Sequence, residues 1–260
     1  MEGRRLRLTR RGLLAGVGAW ALAPNAARAF GQAGAFHARV LVAGTEALSG
    51  PRTTAPARWA WELVSRTSAP ARLASASVRA DEPKLLAEPF VIWAGSRDVQ
   101  PLSAPELRGL SKFLSLGGML LVDDNDPASG AFGRAARREL ARIVPDAPPV
   151  RLDPAHVVYK TYYIIDRPVG RVMGAPHLEA IVRNKNAQVL FSSHDLLGAL
   201  ALTASGSWAI EVEPGGVRQR EQALRLAVNI AMYLLCSDYK DDQVHAPWLM
   251  RRRAGRQREP

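Results

Sequence analysis

Residues 89–126 read PFVIWAGSRDVQPLSAPELRGLSKFLSLGGMLLVDDND, and this stretch decides the fold. Phe90 to Ser96 is an unbroken apolar run behind a proline, the pattern of a strand that a parallel sheet buries on both faces. Ser103-Ala104-Pro105-Glu106 follows as a capping box with proline in the first turn. The helix it opens carries Leu107, Leu110, Phe113 and Leu114 on one face, and Gly117-Gly118 stops it. Met119–Val122 is then a second strand of the buried type, ending in Asp123, Asp124, Asn125 and Asp126. Strand, helix and strand in this order predict a right-handed crossover between parallel neighbours.

The same alternation extends outward in both directions. Upstream, Phe36–Gly44 reads as a strand, Arg58–Ser65 as a helix and Leu73–Arg79 as a strand. Downstream, Ala131–Val144 reads as a helix with Phe132, Ala135, Leu140 and Ile143 on its apolar face. Beyond Pro145, Val157–Ile165 is rich in tyrosine and β-branched residues, and its alternation predicts another strand. Leu178–Arg183 and Gln188–Ser193 flank a turn at 184–187, as a hairpin or two adjacent strands. Residues 195–218 read as irregular chain or a short helix. Gln219–Cys236 has the strongest helical period, with Leu224, Ala227, Val228, Ala231, Leu234 and Leu235 on one stripe. Within that helix Asn229 is expected to clamp a neighbouring backbone loop, because a buried amide must be hydrogen-bonded. Cys236 is expected to be a buried thiol. The pattern as a whole predicts an α/β fold with a mostly parallel sheet covered on both faces. Ligands of such sheets sit beyond the carboxyl ends of the strands.

Composition sets the class. The chain has 260 residues, 47% apolar and 23% charged, with a mean hydropathy of −0.10. That is globular, which excludes both a disordered chain and a polytopic membrane protein. A single cysteine excludes an intrachain disulfide and a cysteine-based zinc cluster. The formal net charge of +11 invites a nucleic-acid reading. Its distribution removes that reading. In residues 1–29 six arginines against one glutamate give +5, and in 250–260 five arginines against one glutamate give +4. Residues 30–249 hold 24 basic and 22 acidic side chains, a net of +2, which is no footprint for a phosphate backbone.

The N-terminus reads as an address. Thr9-Arg10-Arg11-Gly12-Leu13-Leu14 has the form of a twin-arginine signal, and a twelve-residue apolar run, Gly12 to Ala23, follows it. A helix needs roughly 20 residues to span a bilayer, so this run is too short. Ala27 and Ala29 stand at the −3 and −1 positions of a cleavage site. Arg10, Arg11, Leu13, Leu14, Ala27 and Ala29 are therefore the targeting residues, and the translocase of that pathway is the expected partner. The expected location is the periplasm or outside the cell, with an uncleaved signal as an alternative weak tether. No cysteine near residue 30 offers a lipoprotein anchor. The organisation expected is a signal over 1–29, an α/β domain over 30–236 and a basic, flexible tail over 237–260. That tail offers weak contact with a membrane.

Candidate chemistry gathers at the strand ends. Asp123, Asp124 and Asp126, with Asn125 between them, must be compensated by helix N–H groups, by arginines such as Arg134, Arg137 and Arg138, or by a hard cation. Ser96 ends the preceding strand. His156 and the pair His194-Asp195 would join this group if their segments return to the same sheet edge. No two histidines are four apart on a helix, and neither H-E-x-x-H nor G-x-S-x-G occurs. No metal site and no cofactor are expected.

Several stretches together resemble the bacterial domain of unknown function 4159. They are Gly117 to Asp124, Phe132 with Arg137-Arg138-Glu139-Leu140 and Pro145, His156 to Tyr163, Ser193-His194-Asp195, and Ala227-Val228-Asn229-Ile230 with Tyr233. The resemblance covers roughly residues 36–236. It implies a three-layer, flavodoxin-like sheet similar to that of class I glutamine amidotransferases. Those enzymes need a cysteine on a strand–helix elbow, and this chain has none there, so glutaminase chemistry is not expected. The reading that follows is a non-catalytic, exported domain. It would bind a periplasmic protein or small ligand at Ser96, Asp123, Asp124, Asn125, Asp126, His156, His194 and Asp195. The alternative is a periplasmic, metal-assisted hydrolase using Asp123 and Asp124 with His156 or His194.

Overall fold

The computed structural model describes residues 34–44 and 47–256, the last twenty of them by backbone alone. The targeting residues Arg10, Arg11, Leu13, Leu14, Ala27 and Ala29 lie outside the described residues. Seven strands form one sheet: β1 (Arg39–Val42), β2 (Ala76–Arg79), β3 (Phe90–Gly95), β4 (Met119–Asp124), β5 (Val150–Arg151), β6 (Glu179–Arg183) and β7 (Asn186–Ser192). Their order is β2-β1-β3-β4-β7-β6-β5. The first five in that order are parallel, and β6 and β5 close one edge antiparallel. The parallel part has the strand order of a flavodoxin-like sheet, with its direction of winding reversing between β1 and β3.

The strand residues explain the layers. Phe90, Ile92 and Ala94 of β3, with Met119 and Leu121 of β4, face α1 (Ala55–Thr67), α4 (Leu196–Leu200) and α5 (Gly216–Arg256). Val91 and Trp93, with Leu120 and Val122, face α2 (Ala104–Ser115) and α3 (Ala131–Ile143). Side chains alternate across a strand, so a strand covered by helices on both faces must be apolar throughout. On the first face Trp59 packs against Phe36 and Phe90, and its indole Nε1 donates to the Ala227 carbonyl at 2.8 Å, which ties α1 to α5. On the second face Trp93 meets Phe132 edge to face at 5.5 Å.

The capping box forms as expected: the Ser103 hydroxyl accepts from the Glu106 N–H, and Glu106 accepts from the Ser103 N–H at 2.8 Å. Two other expectations are corrected. Residues 157–165 form a 3-10 turn (Val157–Tyr159) and a loop, not a strand. Cys236 is exposed. The last helix runs past Cys236 to Arg256. Among the described residues no helix is long and apolar enough to cross a membrane.

Gly109 of α2 shows how closely the helical layer sits on the sheet edge. A Cβ at this position would lie 1.9 Å from the Ala80 carbonyl oxygen, a backbone atom that cannot swing away. Gly109→Ala is expected to destabilise the domain by about 1–3 kcal/mol through overpacking, read as an earlier urea midpoint. An unchanged midpoint would mean that α2 and the Ala80 turn are not in contact.

Candidate functional site at the strand ends

Asp123 and Asp124 are consecutive, so they point to opposite faces of β4, and each holds a helix on its own face. Asp123 is fully buried, and its two oxygens accept the N–H groups of Leu196 at 2.9 Å and Leu197 at 2.8 Å, in the first turn of α4. Asp124 accepts from Gly133 in α3 at 3.1 Å and from Asp126 at 3.1 Å. Carboxylates satisfy the orphan donors of a helix start and oppose its positive end. Two of the three acids thus serve as caps. The capped N–H groups lie 73 residues ahead of Asp123 in one case and nine residues ahead of Asp124 in the other.

Of the arginines on α3, Arg137 favours the charged form of Asp124. Arg134 donates to the Ser129 carbonyl, Arg137 to Glu179, and Arg138 to Asp98 and Glu139. A further acid at this edge, Asp195, is balanced by Arg52 and Arg171, which no pattern in the sequence singles out, and the Arg52 charge is also felt by Asp123 and Asp126. Arg52 sits in a short 3-10 helix (Gly50–Thr54) after β1. It grips Asp195 with Nε on Oδ1 at 2.8 Å and Nη2 on Oδ2 at 2.5 Å. Arg171 closes on the same Oδ2 from the loop before β6. Asp195 has no exposed surface, caps α4 through the Gly198 N–H at 3.0 Å, and takes a left-handed φ of 51°. Two buried carboxylates and two arginines gather here. Asp123 lies at the end of β4, and the others come from the loops after β1 and β7 and the loop before β6.

Electrostatics follow from this packing. Burial, and then the neighbouring Asp195 carboxylate, push Asp123 well above the usual carboxylate range, against the two backbone N–H groups that favour its charge. Burial also raises Asp124. The Asp195 carboxylate holds the Arg52 guanidinium above its ordinary value.

The structure divides the candidate residues between two edges of the sheet. Ser96, half-buried, follows β3 at the carboxyl edge, where the Gly95 carbonyl accepts the Asn125 N–H at 2.8 Å. Asp123, Asp124, Asn125, Asp126, His194 and Asp195 share that edge. His156 does not. It caps the 3-10 turn by accepting the Val158 N–H at 3.2 Å, and its ring lies 5.7 Å from Tyr233. The Tyr233 hydroxyl accepts from Ala187 at the opposite end of β7. A centre made of Asp123, Asp124 and His156 is therefore not assembled. Among the described residues no group of three or more histidine, cysteine or acidic side chains is placed to hold a metal.

His194 is buried completely, with Nε2 on the Ala175 carbonyl at 2.7 Å, and burial pushes it down to about 4. The unfolded chain takes up its proton near 6.5, the native one only near 4. Stability from His194 is therefore complete above that unfolded value and is lost as pH falls toward 4. Asp123 works in the opposite direction, because its raised value favours the folded state at low pH. The two are separated by comparison with His194→Gln, whose amide can still donate to Ala175. The wild type is expected to lose about 2–3 kcal/mol relative to that variant between pH 7 and 4.5, by urea unfolding. Parallel curves would place His194 in water.

The edge outside β1 and β3, where the winding reverses, is where ligands of such sheets bind. Gly44 lies two residues beyond β1 with a φ of +61°, where a Cβ would come within 2.8 Å of the Gln100 carbonyl oxygen, and its N–H donates to Glu106 at 3.0 Å. Ser96 lies across from it, with Asn125 and the partly exposed Arg52 alongside. The Asn125 Oδ1 has no donor among the described residues.

A search of curated proteins gives no match to this chain. A family model matches residues 41–235, which runs from the second half of β1 into α5 and includes β2 to β7 and the carboxyl-edge aspartates Asp123, Asp124, Asp126 and Asp195. The chain belongs to the family described as domain of unknown function 4159.

Proposed function

We propose that this protein is an exported, non-catalytic binding module of the bacterial cell envelope, whose partner or small ligand docks outside the carboxyl ends of β1, β3 and β4. Its sheet is read as that of a class I glutamine amidotransferase whose attacking thiol is missing. One observation carries this reading. The acids that would supply chemistry at that edge are already bound, Asp123 and Asp124 to helix N–H groups and Asp195 to Arg52 and Arg171. What remains at that edge is the half-buried Ser96 and the partly exposed Arg52 guanidinium, which suit recognition.

A photo-crosslinking amino acid placed at Ser96 in cells tests this. A discrete adduct is expected by intact mass at 96 and none at Arg108, an exposed-face position on α2. Equal labelling at both positions, or none at either, would contradict the reading.

Export is the second half of the proposal, and it rests on Arg10 and Arg11 ahead of the Gly12–Ala23 run. Changing both arginines to lysine is expected to leave the protein cytoplasmic and at full length, by fractionation and mass. Continued export at the wild-type level would exclude the twin-arginine route.

A further inference from the structure

Where α1 meets the start of α5, an open groove lies outside the carboxyl-edge site. Its volume is about 450 Å³, and Trp61, Trp208, Val217 and Leu224 supply its apolar wall. Trp61 is 48% exposed and Val217 88%, so much of that wall stands in water. Apolar surface gathered in one place and rimmed by charge marks a docking surface, as single exposed side chains do not.

The wall is held in place before anything binds. The Arg58 guanidinium lies against both indoles, 4.2 Å from the Trp61 ring centre and 4.8 Å from that of Trp208. Arg220 lies 4.6 Å from Trp208. Glu62, almost wholly buried, accepts from Arg58 Nε at 2.7 Å and from Arg66 Nε at 2.5 Å. Arg66 also grips both oxygens of Glu221 at 2.9 Å, and Arg225 donates to Glu221 at 2.9 Å. This run of ion pairs ties α1 to α5, and a preformed surface loses little freedom on binding.

The same pairs decide what the groove can take. Each oxygen of Glu62 and Glu221 already accepts an arginine N–H, which leaves neither acid for an occupant. Donors are in excess. Arg58 Nη1 and the indole N–H groups of Trp61 and Trp208 have no acceptor among the described residues. Arg220 directs both Nη groups to the carbonyls of Ala199 and Ile210, and Glu211 acts on its charge only from a distance. An occupant that fits brings acceptors and negative charge, together with apolar groups for Val217 and Leu224.

We propose that this groove is a docking surface for an acidic, apolar segment of a partner protein. Its carboxylates meet Arg58 and the indole N–H groups, and its apolar side chains cover Val217 and Leu224. Tryptophan and arginine are the residues on which such interfaces concentrate their energy. The aliphatic part of the wall favours a peptide over an anionic glycan, which would stack on the indoles alone.

A random peptide library displayed on phage, selected on the immobilised full chain, tests this. The peptides retained are expected to combine acidic with apolar side chains. In calorimetric titration a retained peptide is expected to bind about tenfold more weakly to Trp61→Ser and to Arg58→Gln, and equally well to Arg108→Gln on the other helical layer. Its binding is expected to weaken as salt is raised. Arg58→Gln also loosens Glu62, so thermal melting checks that it is folded, and Trp61→Ser decides if it is not. No peptide retained above bare beads, retained peptides without acidic residues, or binding indifferent to Trp61→Ser would overturn the proposal. Saturation by oligogalacturonate, with no peptide retained, would assign the groove to a glycan and overturn it equally.

Discussion

Replacing Asp195 by alanine is expected to destabilise the domain by about 3–5 kcal/mol, the usual result of removing one partner from a buried ion pair. Asp195 is fully buried and takes hydrogen bonds from Arg52, Arg171 and the Gly198 N–H. The substitution strips two guanidiniums of their counter-ion and uncaps α4 at once. The arginines are each about one-fifth exposed, so water recovers part of their loss. The buried Gly198 N–H left uncapped has no such outlet. For a domain of this size the shift corresponds to a melting temperature roughly 10 °C lower. A second consequence separates this cause from general damage. Asp195 is one of the groups that raise Asp123, so its removal should let Asp123 ionise at lower pH. Calorimetric melting across pH 4–7 reads both effects. A loss below about 1 kcal/mol would show that the two arginines were solvated throughout.

Asn229→Leu is expected to have the next largest effect. Its Oδ1 accepts the N–H groups of Tyr162 at 3.2 Å and Tyr163 at 2.8 Å, and its Nδ2 donates to the carbonyls of Val158 at 3.0 Å and Tyr163 at 2.8 Å. One amide thus satisfies four backbone groups of a loop that has no strand partner. Leucine preserves the volume and removes all four bonds. At about 1 kcal/mol each, the expected loss is about 3–4 kcal/mol. The loss should be local first. Hydrogen exchange at Tyr162 and Tyr163 is expected to rise to near the unprotected rate, while the amides of β3 and β4 still exchange only through global opening. Continued protection of Tyr162 and Tyr163 would mean that the loop is held by something else.

These two residues show what a sequence can and cannot announce. Asn229 is legible because an amide in the apolar stripe of a helix has to find backbone partners, whatever they are. The β3-helix-β4 unit is legible for a similar reason. Burial on both faces leaves an unbroken apolar run, and a capping box is a local signal four residues long. The loop at 157–165 misleads because tyrosines and β-branched residues favour a strand only when a neighbouring strand is there to pair. Here the backbone bonds go to Asn229, and the Tyr159 hydroxyl accepts from Leu178. The exposure of Cys236 is not something that helical periodicity alone marks.

The strand-end network is legible only by half. Three acids at the end of a buried strand signal that something must balance them. The nearest arginines, on α3, are the natural partners by spacing; they hydrogen-bond to Glu179, Asp98 and Glu139 instead, and only the Arg137 charge still favours ionised Asp124. Arg52 reaches Asp195 across 143 residues of chain, from a loop without any periodic pattern. Such a pairing has no sequence signature, because the fold, not the spacing, brings the charges together. The same holds for His156, which the topology sends to the opposite edge of the sheet.

A double-mutant cycle between Arg52 and Asp195 tests the central claim most directly, that the acids of this edge hold the fold together and are not held in reserve for a substrate. Arg52→Ala, Asp195→Ala and the double variant are compared by urea unfolding. The predicted coupling is about 2–3 kcal/mol, with the double variant little worse than Asp195→Ala alone. Additive losses, with no coupling between the two sites, would contradict the claim and leave Asp195 free for a ligand or a metal.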